Sequence, residues 1–322
     1  MDKSTHRVEV IPVVLESHPN ADRLEIARIW NYTSCVQKGQ FKDGDLAAYI
    51  PPDSVVDTTR PEFAFLKKDG RDRERIRVKK LRGIISMGLL MPAPEGSEVG
   101  QDVAEAMGIV HYEPPDTTTG GENVSPPPGY HPNYDVDTLY RYVHLFQEGE
   151  QVIATEKIHG ANGRWVCIDG QMYCGSRNLW KKEDDKSVWW RALRRNPEVE
   201  RFCREHPDMT VYGEVYGWVQ SLRYGKNPGE VDIAVFDLLR GTEWIAVEAA
   251  RKMAPDLPWV PIVYAMPFHA ETIFESADGP SLIPNAHHER EGIVVKPLTE
   301  RIDPEIGRVQ LKVVSNSYLE KA

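Results

Sequence analysis

The sequence predicts an α+β protein with two domains, a small β-barrel followed by a larger domain of antiparallel sheets and flanking helices. Three observations support this prediction. The chain has 322 residues, which is too long for one average hydrophobic core. Short apolar runs fill residues 1–112, whereas strand-like and helix-like runs follow one another irregularly in residues 136–322. Between them, residues 113–135 are rich in proline, glycine and threonine and predict a linker.

The first region contains the short strands expected of a barrel. Its apolar or alternating runs are separated by turn signals such as Lys42-Asp43-Gly44. The predicted strands are Arg7–Leu15, Leu24–Trp30, Leu46–Ile50 and Ile84–Met91. A short helix from Gln101 to Met107, ended by Gly108, is predicted to close this domain.

The last region combines β-branched runs with helical segments. Strands are predicted at Gln151–Thr155, Arg164–Ile168, Val211–Tyr216, Asp232–Leu238 and Gly292–Lys296. Helices are predicted at Ser187–Arg195, from Pro197 to Arg204, and at Glu243–Met253. The order of these elements is not a strict βαβ alternation, which favours an α+β domain over a doubly wound parallel sheet.

The composition excludes several classes of protein. A net charge of −10 argues against a protein that coats nucleic acid through bulk electrostatics, although it is compatible with a local basic groove. The four cysteines are scattered without a C-x-x-C pair, which argues against a disulfide framework or a cysteine zinc site and favours a reducing cytoplasm. No apolar run approaches the ~18 residues of a membrane span, and no secretory signal is evident. No feature indicates an obligate protein partner.

Two segments concentrate positive charge. Residues 67–82 hold nine basic residues against three acidic ones, and Lys79, Lys80 and Arg82 end this run. A second cluster comprises Lys181, Lys182, Lys186, Arg191, Arg194 and Arg195. Charge runs are most often solvated faces, and the alternative is that the first run follows a phosphate backbone.

A lysine in a glycine-containing turn is the best candidate for a nucleophile. Thr155-Glu156-Lys157-Ile158-His159-Gly160-Ala161-Asn162-Gly163 follows a predicted strand. Two glycines in such a turn allow the backbone to approach a ligand closely. A lysine amine attacks only when it is deprotonated, so neighbouring cations or desolvation are expected to lower the pKa of Lys157. The alternative is a β-hairpin turn with an exposed lysine.

Several further segments place charged side chains on or beside strands in a fixed order. They are Cys174-Gly175-Ser176-Arg177-Asn178, Val211 to Gly217 with Glu214, Val235-Phe236-Asp237-Leu238, Glu291 to Lys296, and Gln310-Leu311-Lys312. Each of these residues alone has an ordinary interpretation, such as a core phenylalanine or a surface acid at a strand end. It is the ordered set that favours a common site.

Together these segments resemble the motifs of the covalent nucleotidyltransferases, which include RNA ligases, DNA ligases and mRNA capping enzymes. The K-x-H-G-x-N pattern at Lys157 resembles the RNA ligase 2 branch, and the resemblance covers about residues 136–320. A barrel ahead of the transferase and the segment Ile76–Gly83 resemble the RNA ligase 5 group, in which an OB domain comes first. The resemblance therefore implies an OB-type barrel in residues 1–112 and an adenylyltransferase domain in residues 136–322.

One departure from the family concerns its K-x-K pattern near the end of the chain. Gln310 occupies the first lysine position, so only Lys312 carries over, and the phosphate contacts are expected to depend more on Lys296 or Arg308. In the first region, the segment from His18 to Leu24 resembles the opening of tRNA-binding OB modules, although it is equally well explained as a barrel turn.

The resemblance implies RNA joining with ATP as the AMP donor and with Mg²⁺ or Mn²⁺. Lys157 would form a lysine–AMP bond, AMP would pass to an RNA 5′-phosphate, and a 3′-OH would then displace it, most simply at a nick in a duplex. The metal would be held by Glu214 and Glu291, with Asp237 as a further candidate, because Mg²⁺ prefers carboxylate oxygens and water.

The remaining roles also follow from the resemblance, residue by residue. Lys296 and Lys312 would contact the α-phosphate, and Arg177 the ribose or a phosphate. Phe236 would stack on adenine, and Glu156 would contact its edge. His159 would assist lysine adenylylation, and Asn162 would orient phosphates during sealing. Lys79, Lys80 and Arg82 would contact the RNA backbone.

Three other functions remain open from the sequence. One is a capping guanylyltransferase or DNA ligase, which the histidine of the motif and the short segment after Lys312 disfavour. Another is a non-catalytic RNA-binding protein on a ligase scaffold, which the intact charged set disfavours. A tRNA-synthetase accessory module would leave residues 136–322 unexplained.

Overall fold

In a computed structural model, residues 6–68, 70–112 and 122–320 are described. The chain divides into two compact units, one comprising Met1–Pro114 with Leu319–Ala322 and the other Pro115–Tyr318. Residues 113–121 of the predicted linker lie outside the described residues. Residues 122–135 of that predicted linker belong to the second unit, where Tyr134 is buried. The α+β fold class is confirmed.

Short antiparallel strands build the first unit. They are β1 (Glu9–Pro12), β2 (Val14–Ser17), β3 (Leu24–Ile29), β4 (Tyr32–Gln37), β5 (Leu46–Ile50), β6 (Ser54–Asp57), β7 (Arg73–Arg75), β8 (Lys79–Leu81), β9 (Ile84–Ser86), β10 (Leu89–Pro92) and β11 (Val110–His111), with a 3₁₀ helix at Pro61–Leu66. The strand orders are β1-β5-β10, β2-β3-β4 and β11-β6-β7, and β8 and β9 form a hairpin. Val10, Ile50 and Phe63 are fully buried in the core of this unit.

Three predictions for the first unit differ from the structure. Residues 101–107 form no helix: Asp102 makes a β-bridge with Glu9, and residues 104–108 form turns, with the Met107 N–H donating to the Val103 carbonyl. The predicted strand Ile84–Met91 splits into β9 and β10, because Gly88 has a left-handed φ of 82° that interrupts the extended backbone. The run Arg7–Leu15 likewise splits into β1 and β2 at Val13.

The second unit has fourteen strands and six helices among its described residues. The strands are β12 (Asn123–Val124), β13 (Asp137–Thr138), β14 (Val152–Glu156), β15 (Ala161–Ile168), β16 (Gln171–Gly175), β17 (Trp180–Lys181), β18 (Met209–Gly217), β19 (Val231–Arg240), β20 (Glu243–Trp244), β21 (Ile262–Tyr264), β22 (Gly292–Pro297), β23 (Ile302–Asp303), β24 (Gly307–Arg308) and β25 (Leu311–Val314). The helices are α1 (Leu139–Tyr142), α2 (Val188–Arg195), α3 (Pro197–Glu205), α4 (Val247–Met253), α5 (Ala270–Ser276) and α6 (Asn316–Leu319), and a 3₁₀ helix covers Val143–Leu145.

Two sheets organise the second unit. One has the order β12-β17-β16-β15-β18-β19-β20 and the other β13-β25-β22-β14-β21, with β13 and β25 as a parallel pair. Helices α2 and α3 share a core with the seven-stranded sheet around Trp165 and Trp189, and their predicted positions are confirmed. Helix α4 begins at Val247, later than predicted, because Glu243–Trp244 pairs with β19. Within the described residues, no helix is long and apolar enough to cross a membrane.

Strand alternation decides which side chains leave these cores. In β22, Ile293 and Val295 face the core of the five-stranded sheet, so Lys296 points to the opposite face. Lys312 of β25 is paired with Val294 and therefore shares that face with Lys296. The sheets thus direct charged side chains away from their apolar cores.

Candidate active site

Lys157 lies directly after β14, at the edge of the five-stranded sheet. Its backbone N–H donates to the Gly292 carbonyl at 2.9 Å, which ties the lysine to the start of β22. Its Nζ donates to Glu291 Oε1 at 2.7 Å, and 26% of the side chain is exposed. The amine therefore lies in a partly enclosed site within reach of a small ligand, and not in bulk solvent.

The charged side chains closest to Lys157 are carboxylates, whereas the sequence predicts surroundings dominated by cations or desolvation. Burial alone would lower the pKa of Lys157, but the Glu291 and Glu214 carboxylates outweigh it and raise the pKa above its ordinary value. The side chains around Lys157 therefore do not themselves produce the predicted lowering of its pKa. Lys157 is held as an ammonium ion until added positive charge offsets the two carboxylates.

The backbone at Gly160 is packed too tightly for a side chain. A Cβ at this position would lie 2.2 Å from the Val215 carbonyl oxygen and 2.9 Å from the Glu214 side chain. This close approach explains the glycine of the K-x-H-G-x-N pattern. The turn after Lys157 is thereby pressed against the strand that carries Glu214.

His159 is surrounded by three residues that the sequence did not indicate. Its backbone N–H donates to the Tyr224 hydroxyl at 2.6 Å, and its Nε2 lies 3.1 Å from the Ser221 hydroxyl. Its Nδ1 lies 3.4 Å from the Tyr318 hydroxyl and 3.4 Å from Glu291 Oε2. These partners lie 62 to 159 residues away in the chain, so no local pattern could have revealed them.

Two carboxylates and an amide supply oxygens beside Lys157. Burial raises the pKa of Glu214 to about 8, although Lys157 opposes this shift. Glu291 is also buried, but Lys157 and His159 hold its pKa below the ordinary value. Among the described residues, Asn162 Oδ1 is buried without a hydrogen-bond donor, and Glu291 Oε2 has no hydrogen bond beyond its 3.4 Å contact with His159 Nδ1.

These oxygens fit a hard divalent cation. Asn162 pairs with Glu214 across β15 and β18, which brings the amide and the carboxylate to one place. Buried oxygens without donors are costly unless a cation or water contacts them. The described residues contain no cluster of three or more His, Cys, Asp or Glu side chains with metal-ligand geometry. Such a site suits Mg²⁺ or Mn²⁺ that keeps several waters rather than a cation held by a full protein cage.

Asp237 lies at the centre of a second buried cluster. Its Oδ2 accepts from Lys296 Nζ at 2.5 Å and from Arg308 Nη1 at 2.8 Å, and its Oδ1 accepts from Arg308 Nη2 at 3.0 Å. The Tyr134 hydroxyl donates to the same carboxylate. Burial would raise the pKa of Asp237, but Arg308 and Lys296 lower it to about 2.

This cluster contradicts two expectations. Asp237 is 1% exposed and both of its oxygens are bonded, so it acts as the counterion of two cations and has no oxygen to spare for a metal. Arg308 also pairs with Glu300, so its guanidinium is not available to clamp a phosphate. Lys296 is 2% exposed, and burial lowers its pKa to about 8. A direct contact between Lys296 and the α-phosphate would require the Asp237 pair to open.

Gln310 is built into the same cluster. Its Oε1 lies 2.7 Å from the Tyr134 hydroxyl oxygen, whose single proton faces both Gln310 and Asp237, and it accepts from Arg308 Nη1 at 3.1 Å. Its Nε2 donates to the Asp135 carbonyl. A lysine in its place would add a third cation beside Lys296 and Arg308. The amide is thus matched to a site that already holds two positive charges and one carboxylate.

The other predicted residues occupy three different positions. Glu156 is buried and accepts from the Ser281 hydroxyl and from the Leu282 N–H, so it anchors residues 281–282. Phe236 packs with its ring centroid 4.4 Å from that of Tyr134, which already covers one side of the ring. Arg177 is exposed and pairs with Asp135, outside the group around Lys157.

The basic residues predicted to bind RNA lie in the first unit. Lys79 and Lys80 are exposed on β8, and Arg82 is exposed in the turn that follows it. In contrast, much of the second basic cluster is neutralised, since Lys182, Arg194 and Arg195 each pair with an acid. Lys181 is buried and donates to Asn123.

The two-sheet domain, with a lysine at a glycine-containing turn facing carboxylates from both sheets, defines an enzyme of the covalent nucleotidyltransferase class. A family model described as RNA ligase matches residues 150–314, and a second model described as an OB-fold domain matches residues 6–93. The chain belongs to the RNA ligase family and is a ligase with an OB-fold domain ahead of its ligase domain.

Solved structures agree with this assignment over nearly the whole chain. A variant of Naegleria gruberi RNA ligase without ligand is 26% identical, covers 99% of both chains and has a TM-score of 0.83. A variant of the same ligase with ATP and Mn is 27% identical, covers 98% of both chains and has a TM-score of 0.81. A variant with AMP and Mn is 25% identical, covers 99% of both chains and has a TM-score of 0.83. A comparison with curated proteins gives no match.

Proposed function

We propose that this RNA ligase uses ATP, carries AMP on Lys157, and joins RNA 3′-OH and 5′-phosphate ends, with nicks in duplex RNA or RNA–DNA hybrids as its substrates. The observation that carries the proposal is the contact of Lys157 Nζ with Glu291 at 2.7 Å, in a site that also holds Glu214. The structural similarity to an RNA ligase solved with ATP, AMP and Mn supports the choice of nucleotide and metal.

Adenylylation begins with the loss of a proton from Lys157. The raised pKa of Lys157 means that the ammonium form dominates in the ligand-free protein. A divalent cation held by Glu214 and Glu291 would supply positive charge that weakens this effect and offsets the charge of the triphosphate. The free amine attacks the α-phosphorus of ATP, a P–N bond forms, the bond to the β-phosphate oxygen breaks, and pyrophosphate leaves.

The positions of Lys312, His159 and Phe236 indicate a supporting role for each of them. Lys312 lies on the same sheet face as Lys296, and as the less buried of the two it is the better candidate for an α-phosphate contact. His159 is held between Ser221 and Tyr318, where it can orient the phosphates of the leaving group. Phe236 has one side covered by Tyr134, so adenine would stack on the other.

Sealing uses the same site for two further transfers. The phosphate at the RNA 5′ end attacks the phosphorus of lysyl-AMP, which breaks the P–N bond and returns the amine of Lys157. The 3′-OH then attacks the activated 5′ phosphorus and expels AMP. Asn162, whose buried Oδ1 has no donor among the described residues, would orient the reacting groups through a bound cation or water.

We also propose that the enzyme works in the cytoplasm, as its unpaired cysteines suggest.

Labelling with radioactive nucleotide tests the proposal. The wild-type protein with α-labelled ATP and Mn²⁺ should gain a covalent, acid-labile label, and a Lys157→Ala variant should gain none. Lys252, which is exposed on α4, provides a matched control, and Lys252→Ala should label normally. Labelling with GTP instead of ATP would favour the capping-enzyme alternative, and labelling of Lys157→Ala would exclude Lys157 as the nucleophile.

The substrate is tested separately with nicked duplexes. RNA or DNA is placed on each side of the break, and joining is measured with ATP and metal. Joining is expected wherever RNA supplies the 3′-OH. Equal joining of all-DNA nicks, or joining of single strands alone, would contradict the proposed substrate.

A further inference from the structure

The turn of the β8–β9 hairpin has a backbone conformation that is unfavourable for its first residue. Arg82 has a φ of 49° and Gly83 a φ of 93°, so both residues are left-handed. Glycine adopts this conformation readily, but a residue with a long side chain does not. An arginine retained in such a position needs support from its surroundings, and strained residues of this kind cluster at functional sites.

That support comes from the turn between β2 and β3. Asn20 Nδ2 donates to the Arg82 carbonyl at 3.2 Å. His18 is buried, and its Nε2 lies 3.2 Å from the Leu81 carbonyl, while its Nδ1 accepts from the Asn20 N–H at 3.1 Å. This pattern fits one imidazole tautomer, with the proton on Nε2. Two consecutive carbonyls of the hairpin turn are thus fixed by one His-Pro-Asn segment.

The base of the hairpin is fixed independently along β4. The Thr33 hydroxyl donates to the Ile85 carbonyl at 2.7 Å, and the Cys35 N–H donates to the Ser86 hydroxyl at 2.9 Å. The Met87 N–H donates to the Thr33 carbonyl at 2.8 Å. The hairpin is therefore a rigid element held at its turn and at its base, and not a loose basic loop.

The fixed hairpin presents positive charge with little compensation. No acidic residue occurs between Arg75 and Glu95, and Lys79, Lys80 and Arg82 are exposed. Lys80 pairs with Glu320 at 2.6 Å, and about 40% of each of these two side chains is exposed. Across residues 6–68, 70–112 and 122–320, neither Lys79 nor Arg82 takes part in an ion pair.

We propose that His18 and Asn20 are positioning residues for RNA binding, which hold the left-handed Arg82 so that its guanidinium meets a backbone phosphate beside those bound by Lys79 and Lys80. This inference rests on the proposed RNA substrate. Fixing the backbone reduces the conformational entropy that is lost when a flexible arginine binds. RNA is favoured as the partner because exposed cations on a fixed hairpin suit contact with a phosphate backbone.

A double-mutant cycle at positions 20 and 82 separates positioning from charge. Arg82→Gly removes the charge and suits the left-handed turn, so the hairpin should keep its shape. Asn20→Ala keeps the charge and removes the support. Binding to a nicked RNA duplex is measured in EDTA, so that no joining occurs, between 50 and 200 mM salt.

Each single variant should bind about fivefold more weakly at 0.1 M salt, and Arg82→Gly should lower the slope of log K against log salt by about 0.7 to 0.9, as expected for one lost phosphate contact. Asn20→Ala added to Arg82→Gly should change the affinity less than twofold, because the supported arginine is already absent. Lys42→Ala is the charge-matched control, since its turn contacts Val13 and Leu15 at the other end of β2, and it should bind normally.

Three results would overturn the inference. Wild-type affinity in Asn20→Ala would exclude a positioning role, and multiplying effects in the double variant would show that Asn20 acts independently of Arg82. If Asn20→Ala unfolds, Asn20→Ser removes the amide with less change in shape, and the same comparison applies. If the wild-type protein binds no nicked RNA, the proposed substrate fails and the inference fails with it, whereas a failure confined to the variants leaves the ligase proposal intact.

Discussion

Two lysines on one sheet face have different environments. Lys296 is 2% exposed and bonded to Asp237, whereas Lys312 is partly exposed on the neighbouring strand. Removing one partner of a fully buried ion pair leaves an uncompensated charge in the core, whereas the loss of a partly exposed lysine costs less because solvent reaches the charges around it. A Lys296 variant can therefore lose activity because the fold is destabilised, whereas a Lys312 variant that loses activity has lost a contact needed for the chemistry.

Substitution of these lysines by methionine should separate stability from chemistry. Lys296→Met should lower the free energy of unfolding by about 3 to 5 kcal/mol, because Asp237 would keep only Arg308 as a buried cationic partner. Lys312→Met should change it by less than about 1 kcal/mol but abolish lysine adenylylation. Urea unfolding and covalent AMP labelling measure the two effects. A stable but inactive Lys296→Met variant would show that Lys296 acts mainly on the nucleotide.

Glu214 is expected to make the ligand-free protein less stable at high pH. Its pKa is raised from 4.5 to about 8 in the folded protein. Below pH 4.5 the carboxyl is neutral in both folded and unfolded states and has no effect. As the pH rises from 4.5 to 8, the unfolded state loses the proton more readily, so the folded state loses stability, fully so above pH 8.

Glu214→Gln should remove this penalty. The variant should be more stable than the wild type by roughly 2 to 4 kcal/mol at pH 9 and by little at pH 4.5. Thermal unfolding across this pH range measures the difference. Mn²⁺ should raise the melting temperature of the wild type at pH 8 more than that of the variant, because the cation binds the ionised carboxylate. If Mn²⁺ raised the melting temperatures of the wild type and the variant equally, Glu214 would not be a metal ligand.

At the scale of elements, the sequence predicted strands and helices better than the contacts between them. Helix α2 and strands β5 and β22 were predicted within two residues, because they combine clear periodicity with turn or cap signals. The helix predicted at 101–107 failed because apolar spacing over seven residues does not distinguish a helix from a series of turns. Residues that act through strand pairing, such as Lys157, Glu214 and Glu291, could be assembled only by their resemblance to a known order of motifs.

The ionic cluster around Asp237 lay beyond prediction. Its partners Tyr134, Lys296 and Arg308 are 103, 59 and 71 residues distant in the chain. A carboxylate in a strand looks the same in sequence whether it binds metal or neutralises two cations. Only the registers of β19, β22 and β24 decide between these roles, and register depends on the complete fold.

The turn after Lys157 is expected to tolerate no side chain at position 160. In Gly160→Ala, the new Cβ would meet the Val215 carbonyl at 2.2 Å, so β15 and β18 would have to separate or the turn would have to move. The variant should lose about 1 to 3 kcal/mol of stability and most lysine adenylylation. Urea unfolding and AMP labelling test this expectation. Normal labelling would show that the turn can shift without displacing Lys157.

The charge of the whole molecule limits how it binds RNA. A net charge of −10 opposes a polyanion, and three of the six residues of the second basic cluster are paired with acidic side chains. Attraction therefore depends on a few exposed cations, of which Lys79, Lys80 and Arg82 form one fixed group. The number of phosphates contacted should be small compared with that of a protein that coats nucleic acid.

A small number of phosphate contacts should give a moderate dependence of RNA affinity on salt. Contact with three or four phosphates gives a fall of roughly 20- to 150-fold between 50 and 200 mM salt, whereas six to ten contacts give about 10³ to 10⁵. Titration of fluorescent nicked RNA in EDTA measures the slope. A fall of a thousandfold or more would reveal a broad basic surface that the charge distribution does not show. A fall of less than threefold would mean that stacking or hydrogen bonding, rather than phosphate contact, holds the RNA.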